Sequence, residues 1–222
     1  RVILLHQRSF ASFFVGCRFS ITQAVKLKSP HRGLKKTLLQ FSIIMNRKLD
    51  NTELERPSIE EFRGKRKHPI VVVLDNVRSL NNVGSIFRTS DAFNVQRIVL
   101  CGITGTPPHR EIQKTALGAT ETVAWSYNPD VLTVIQSLKA EGFLIVSVEQ
   151  ASQSISPQLL KKYSDEKICL VLGNEVEGVS QSVIGASDVV VEIPQEGTKH
   201  SLNVSVAAGI VLWESIKALT KD

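Results

Sequence analysis

The chain has 222 residues, 42% of them hydrophobic and 22% charged, with a formal net charge of +6. That length suits one α/β domain plus an extension, and the composition is that of a globular protein rather than a disordered or fibrous one. No apolar run approaches the ~20 residues that span a bilayer, and Cys17, Cys101 and Cys169 form no CxxC pair, which argues against a disulfide framework or a zinc site.

The positive charge is local. Residues 1–49 carry ten Lys/Arg and no acid, whereas the other 173 residues carry 17 Lys/Arg against all 21 Asp/Glu, a balance of −4. Nucleic-acid binding by the body therefore needs a local basic patch. Residues 1–44 are rich in Ser, Phe and Arg and lack sustained periodicity. Three readings stay open for them: an organellar transit peptide, a secretory signal with Phe10–Cys17 as its apolar stretch, and an over-extended gene start ahead of Met45, the sole methionine. The last is preferred. All three predict poor order and leave residues 1–44 outside the fold. The body reads as a cytoplasmic enzyme.

Residues 45–67 are polar and helix-compatible, and residues 45–68 are read as a helix and linker, with Arg63 and Lys65–Lys67 as a short basic run. Ile70–Asp75 is an apolar β-branched run, as expected of a strand buried on both faces. Val83–Phe93 has helical spacing of Val83, Ile86, Phe87 and Ala92. The pattern then predicts strand Arg97–Cys101, helix Glu111–Leu117, strand Thr120–Trp125, helix Pro129–Glu141 and strand Phe143–Val148. Ile168–Leu172 follows as another apolar strand, then helix Ser180–Ala186, strand Asp188–Ile193 and the long helix Ser201–Leu219. This alternation predicts an α/β fold with a mostly parallel sheet and helices on both faces.

Ligands of such sheets bind beyond the carboxyl ends of the strands. Three post-strand segments are polar there. The first, Asn76–Gly84, leads into a helix carrying Arg88; Asn81 or Asn82 would serve simply as an N-cap, and Arg88 as a surface arginine. The second, Gly173–Gly178, is a polar loop flanked by glycines, which let a backbone approach a ligand closely. The third, Pro194–His200, opens onto Ser201, a plausible N-cap, and Asn203, a polar residue in the first turn of an apolar helix. No GxGxxG, GxxxxGK[ST] or GxSxG pattern is present, so the dinucleotide-binding, P-loop and serine-hydrolase readings lack their fingerprints.

Taken together, Asn82–Thr89 (NVGSIFRT), Leu172–Val179 (LGNEVEGV) and Ile193-Pro194 followed by Ser201–Gly209 (SLNVSVAAG) resemble the three motifs of the SpoU, or TrmH-like, branch of the SPOUT RNA 2′-O-ribose methyltransferases. The resemblance spans about Pro69 to Leu219. It implies an α/β domain over residues 69–222 with a deep C-terminal trefoil knot, a homodimer whose active site is completed across the interface, and methyl transfer from S-adenosylmethionine to a ribose 2′-hydroxyl. It implies that Leu172, Gly173, Asn174, Gly178, Ile193, Pro194, Ser201, Leu202 and Asn203 hold the cofactor. Arg88, Asn82, Glu175, Ser201 and Asn203 become the catalytic set, and no metal is implied. An arginine is a poor proton acceptor, so Arg88 is expected to work through a substrate phosphate or on developing charge. Arg78, Arg110 and Lys114, with His109 nearby, are candidate RNA contacts, or a scatter of solvated charges. With so little chain before the first strand, the resemblance is to a minimal catalytic domain. Structured RNA that a dimer can grip is the expected substrate, tRNA first and ribosomal RNA second. A non-catalytic RNA-binding module of the same fold is the rival.

Overall fold

The computed structural model describes residues 47–220, so the readings made for residues 1–44 lie outside the described residues. Residues 51–220 form one unit. Among the described residues the one α-helix before the sheet is α1, Ile59–Gly64, preceded by a single 3-10 turn at Asn51–Glu53 and far shorter than the helix-compatible stretch predicts. Ser58 starts it with a reciprocal capping box: its hydroxyl accepts from Glu61 N–H while the Glu61 carboxylate accepts from Ser58 N–H. Pro57 ahead of it and Gly64 at its end limit its length.

Strands β1 (His68–Asp75), β2 (Val95–Cys101), β3 (Ala124–Asn128), β4 (Phe143–Val148), β5 (Lys167–Leu172) and β6 (Val189–Val191) make one sheet in the order β3-β2-β1-β5-β4-β6. Every neighbouring pair is parallel. The central strand β1 is buried on both sides, as its unbroken apolar run demands. Ile70, Val72 and Leu74 join one core; Val71 and Val73 join the other. Helices α2 (Leu80–Ala92), α3 (Arg110–Ala116), α4 (Ala119–Thr122) and α7 (Val204–Thr220) supply the first core, while α5 (Val131–Ala140) and α6 (Gln181–Ala186) supply the second. The chain runs outward from β1 through β2 to β3, then places β5, β4 and β6 on the other side of β1. The order therefore reverses between β1 and β5, and a crevice is expected there. Among the described residues no helix is long and apolar enough to cross a membrane.

Three local expectations are corrected. Thr120–Trp125 is not a strand. Leu117 and Gly118, both in left-handed conformation, end α3 and redirect the chain into the short α4. The Thr120 hydroxyl then bonds Gln113, and the Thr122 hydroxyl bonds Asp91. These side-chain bonds override the β preference of threonine, and the strand starts only at Ala124. Second, α2 starts earlier than its apolar spacing predicts: Ser79 caps it, accepting from Asn82 N–H at 3.3 Å, so neither Asn81 nor Asn82 is the cap. Third, α7 begins at Val204, and the residue capping it is Asn203, not Ser201: Asn203 Oδ1 accepts from Ser205 N–H at 2.9 Å.

Gly84 sets how closely α2 and α3 approach. A Cβ at this position would lie 2.3 Å from the Ile112 carbonyl oxygen and 2.1 Å from Thr115 Oγ1. Alanine would gain about 1 kcal/mol of helix propensity, but overpacking against a backbone carbonyl costs about 3 kcal/mol. Gly84→Ala is therefore expected to destabilise the fold by about 2 kcal/mol, read as a lower urea midpoint at unchanged slope.

Candidate active site

Two loops meet at the reversal between β1 and β5. The loop after β5 is a tight polar hairpin. Asn174 N–H donates to the Gly178 carbonyl at 3.1 Å, and Gly178 N–H donates back to the Asn174 carbonyl at 2.9 Å. Gly173 allows this closure, since a Cβ there would lie 2.3 Å from Gly178 backbone atoms. Asn174 also reaches sideways: its Nδ2 donates to the Asn76 carbonyl at 2.9 Å, which ties the hairpin to the loop after β1.

Glu175, at the tip of the hairpin, holds the start of α2. Its carboxylate accepts from Arg78 N–H and Ser79 N–H, both at 3.0 Å, and from Asn82 Nδ2 at 3.1 Å. A helix start presents unpaired N–H groups and a positive dipole end, so a carboxylate is well placed there. Asn82 extends the chain of bonds, because its Oδ1 accepts from Asn203 Nδ2 at 3.1 Å. Three segments thus meet in one relay, Glu175–Asn82–Asn203, through two bonds that each join residues more than ninety apart in sequence. Partial burial opposes ionisation of Glu175, but the hydrogen bonds from Arg78, Ser79, its own N–H and Asn82 outweigh it and hold the carboxyl below its ordinary value.

Beside this relay lies a cavity of about 300 Å³ at the carboxyl ends of β4, β5 and β6. Leu172, Gly173, Asn174, Gly178, Ile193, Ser201 and Leu202, all expected at a cofactor site, line it. Pro194 and Asn203 do not; Asn203 is turned to its capping and relay bonds instead. Apolar Leu172, Ile193 and Leu202 share the lining with the acidic residues Glu149, Glu175, Glu177 and Glu192. The end of β4 and the loop after it, residues 148–150, are the part that sequence reasoning missed. Glu149 accepts from Val179 N–H at 2.8 Å, and Gln150 Nε2 donates to the His200 carbonyl at 2.8 Å, so this loop joins both other walls. The signal was present, since these residues also follow a strand, but they carry no glycine and no motif.

Arg88 is not brought to the relay. It lies six residues beyond Asn82 on α2, about 9 Å along the axis and about 240° around it. Its side chain is exposed and makes no hydrogen bond or ion pair among the described residues. Arg78 is exposed at the mouth of the crevice, where its backbone serves Glu175. Arg110 and Lys114 are exposed on α3; Lys114 is 3.9 Å from Glu111, a solvated pair of little energetic weight. His109 caps that helix, its Nδ1 accepting from Glu111 N–H. Cys101 and Cys169 are buried, and burial pushes both thiols up, Cys101 to about 12, so neither is a thiolate nucleophile at neutral pH. Among the described residues no cluster of three or more His, Cys, Asp or Glu is placed to hold a metal.

Sheet topology and site together define an α/β enzyme of the open parallel-sheet class with its cleft at the reversal point. Residues 69–213 match the SpoU rRNA Methylase family, and the chain belongs to that family. It is 30% identical over 166 residues to the tRNA (guanosine(18)-2′-O)-methyltransferase of Thermus thermophilus, covering 75% of this chain and 84% of that one. The A. aeolicus TrmH/SpoU tRNA modifying enzyme superposes with a TM-score of 0.66 at 28% identity, covering 73% of this chain and 83% of that one. The AdoMet-bound rRNA methyltransferase of Sinorhizobium meliloti superposes with a TM-score of 0.64 at 28% identity, covering 71% of this chain and 60% of that one.

The Glu175 clasp makes a pH prediction. Its folded pKa lies below the ordinary value of 4.5, so the unfolded chain binds more protons and the contribution to stability is full above that value. It is lost as pH falls through the lower folded value. Glu175→Gln should therefore be less stable than wild type at pH 7, with the gap closing below pH 4.5. Urea midpoints taken from neutral to acid pH test this; two parallel curves would remove the clasp from the stability account.

Proposed function

We propose that this protein transfers the methyl group of S-adenosylmethionine to a ribose 2′-hydroxyl of structured RNA, with tRNA as the first substrate class and ribosomal RNA as the second. The observation that carries the reading is the Glu175–Asn82–Asn203 relay standing beside an acid-lined cavity, in a chain of the SpoU rRNA Methylase family. The Thermus relative, named for a tRNA guanosine, favours tRNA; the Sinorhizobium relative keeps ribosomal RNA in play.

The cavity fits the cofactor. Leu172, Ile193 and Leu202 offer apolar surface to an aromatic base, and the hairpin backbone offers N–H and C=O groups at its edge. The acidic residues along its lining give it a negative potential that suits a ligand bearing a sulfonium and an ammonium. When bound, S-adenosylmethionine supplies an electrophilic methyl group. Every other requirement falls on the chain. Asn82, Glu175, Ser201 and Asn203 orient the ribose. Glu175 is a positioning residue, since its ionised carboxylate is already engaged by three donors. Arg88 holds an RNA phosphate or steadies charge developing on the ribose oxygen.

The knot and the homodimer belong to the same reading. Support for a trefoil knot over the C-terminal part comes from α7, which returns from beyond the edge strand β6 to pack on α2. The loop before it is held from the β4 side by the Gln150–His200 bond. Support for a homodimer comes from α7's outer face. Val206, Ile210 and Trp213 share one helical stripe and are 51%, 37% and 52% exposed, with Phe93 beside Trp213 at 6.0 Å. Such a stripe marks an interface. It adjoins α2, whose Arg88 has nothing to do within its own protomer and would face the partner's relay.

Calorimetry is expected to show S-adenosylmethionine binding to both wild type and Arg88→Ala, with methyl transfer to tRNA falling roughly 10²–10³-fold in the variant. Mixing Arg88→Ala with Asn203→Ala protomers should restore part of the activity, because a mixed dimer keeps one intact composite site. Full activity of Arg88→Ala would remove it from the mechanism. Failure of the mixture to recover would place both groups in one protomer.

A further inference from the structure

The edge strand β3 carries two aromatic residues that the reaction above does not use. Trp125 and Tyr127 are two residues apart and project from the same face of the sheet. In register they pair with Ile98 and Leu100, whose side chains lie in the core beneath α2. At the sheet edge both rings stay partly open to solvent: Trp125 is 36% exposed and Tyr127 49%. An exposed edge is ordinarily guarded by charge or proline rather than by aromatic rings. Trp125 lines two concavities, each of about 470 Å³. One contains Tyr127 and Ile103, and the other contains Arg63.

Both ends of this surface are held in place. Tyr127 Oη donates to the Gly102 carbonyl at 2.9 Å, and Arg63 Nε donates to the Glu121 carbonyl at 2.8 Å. Lys67 turns inward, its ammonium 3.4 Å from the centre of the Phe62 ring. Lys65 and Arg66, by contrast, are exposed, and their side chains make no hydrogen bond or ion pair among the described residues. Glu121 is the one acidic side chain lining the Arg63 concavity. Ile103, 64% exposed, lines both the aromatic concavity and the one holding Arg78 and Asn174, so the surface runs on to the Glu175 clasp.

Rings interleaved with cations fit nucleic acid better than an apolar protein partner. Each base offers a face to stack, each phosphate a charge to meet, and single-stranded segments expose both. We infer that Trp125 and Tyr127 form a stacking platform for unpaired bases of the substrate RNA, with Arg63, Lys65 and Arg66 meeting its phosphates. This rests on the RNA methyltransferase reading above and adds to it where the RNA is gripped.

The test uses the full chain with unmodified tRNA and rRNA transcripts. Trp125 and Trp213 are its two tryptophans. RNA should quench emission in the Trp213→Phe variant, where Trp125 is the sole reporter, and should quench far less in Trp125→Phe. Replacing both rings in Trp125→Ala/Tyr127→Ala should raise the KM for RNA roughly hundredfold, while kcat at saturating RNA and the Kd for S-adenosylmethionine stay unchanged. Trp125→Phe, which keeps a stacking face, should recover most of the loss. Lys65→Ala/Arg66→Ala should lower the salt slope of binding by about one per charge removed. If wild type methylates RNA and the double-alanine variant does so at unchanged KM, the platform is refuted, the patch is left to a protein partner, and the methyltransferase reading stands. If the full chain binds S-adenosylmethionine but neither binds nor methylates either RNA, both readings fall.

Discussion

A single carboxylate sets the geometry on which the rest of the site depends. Glu175 reaches from the hairpin after β5 to the entry of α2, where Arg78 and Ser79 just ahead of the helix and Asn82 in its first turn all donate to it. Two of those donors are backbone N–H groups at a helix start, which need an acceptor and carry the positive end of the helix dipole. A neutral side chain of the same shape would satisfy fewer of them and would forgo the charge. With the Asn82 amide nitrogen held by Glu175, its carbonyl oxygen is left to accept from Asn203 at the start of α7. The clasp thus orders three loops through hydrogen bonds whose partners are distant in sequence.

The sheet makes that meeting possible. Parallel strands bring their carboxyl ends to one edge, and the reversal between β1 and β5 opens a gap where the loops of neighbouring strands diverge. Burial of β1 on both faces fixes the register of this centre, because a one-residue slip would exchange its two sets of core contacts. Around the gap charge is sorted. Carboxylates line the cavity, while Arg78, Arg88 and the cations beside β3 stand outside it. A mildly acidic body can therefore present one surface to a cationic small molecule and another to a polyanion.

Much of this was readable from residue order. The run Ile70–Asp75 read as a strand buried on both faces, and the motif glycines and polar residues after β5 pointed to the cavity wall that Leu172, Gly173, Asn174 and Gly178 form. Other parts were not readable. Thr120 and Thr122 carry β-forming side chains, yet they sit in a helix because Gln113 and Asp91 are there to bond them. Ser201 looked like the cap of the last helix, but Asn203 takes that place. The wall after β4 escaped notice because Glu149 and Gln150 are ordinary surface residues until Val179 and His200 are brought against them.

By itself the sequence determined what depends on local pattern and on residue type: the alternation of strands and helices, the glycines a tight hairpin demands, and the polar motif segments that follow the strands. Only the tertiary structure decided what depends on partners distant in the chain. It put Asn82 between Glu175 and Asn203, left Arg88 apart from both on another side of α2, and set Trp125 beside Arg63 at an open sheet edge. The physical reason is the same in each case. Propensity and periodicity are properties of neighbours in sequence, whereas a hydrogen bond or a charge is worth what its surroundings make of it, and those are assembled only when the sheet closes its order.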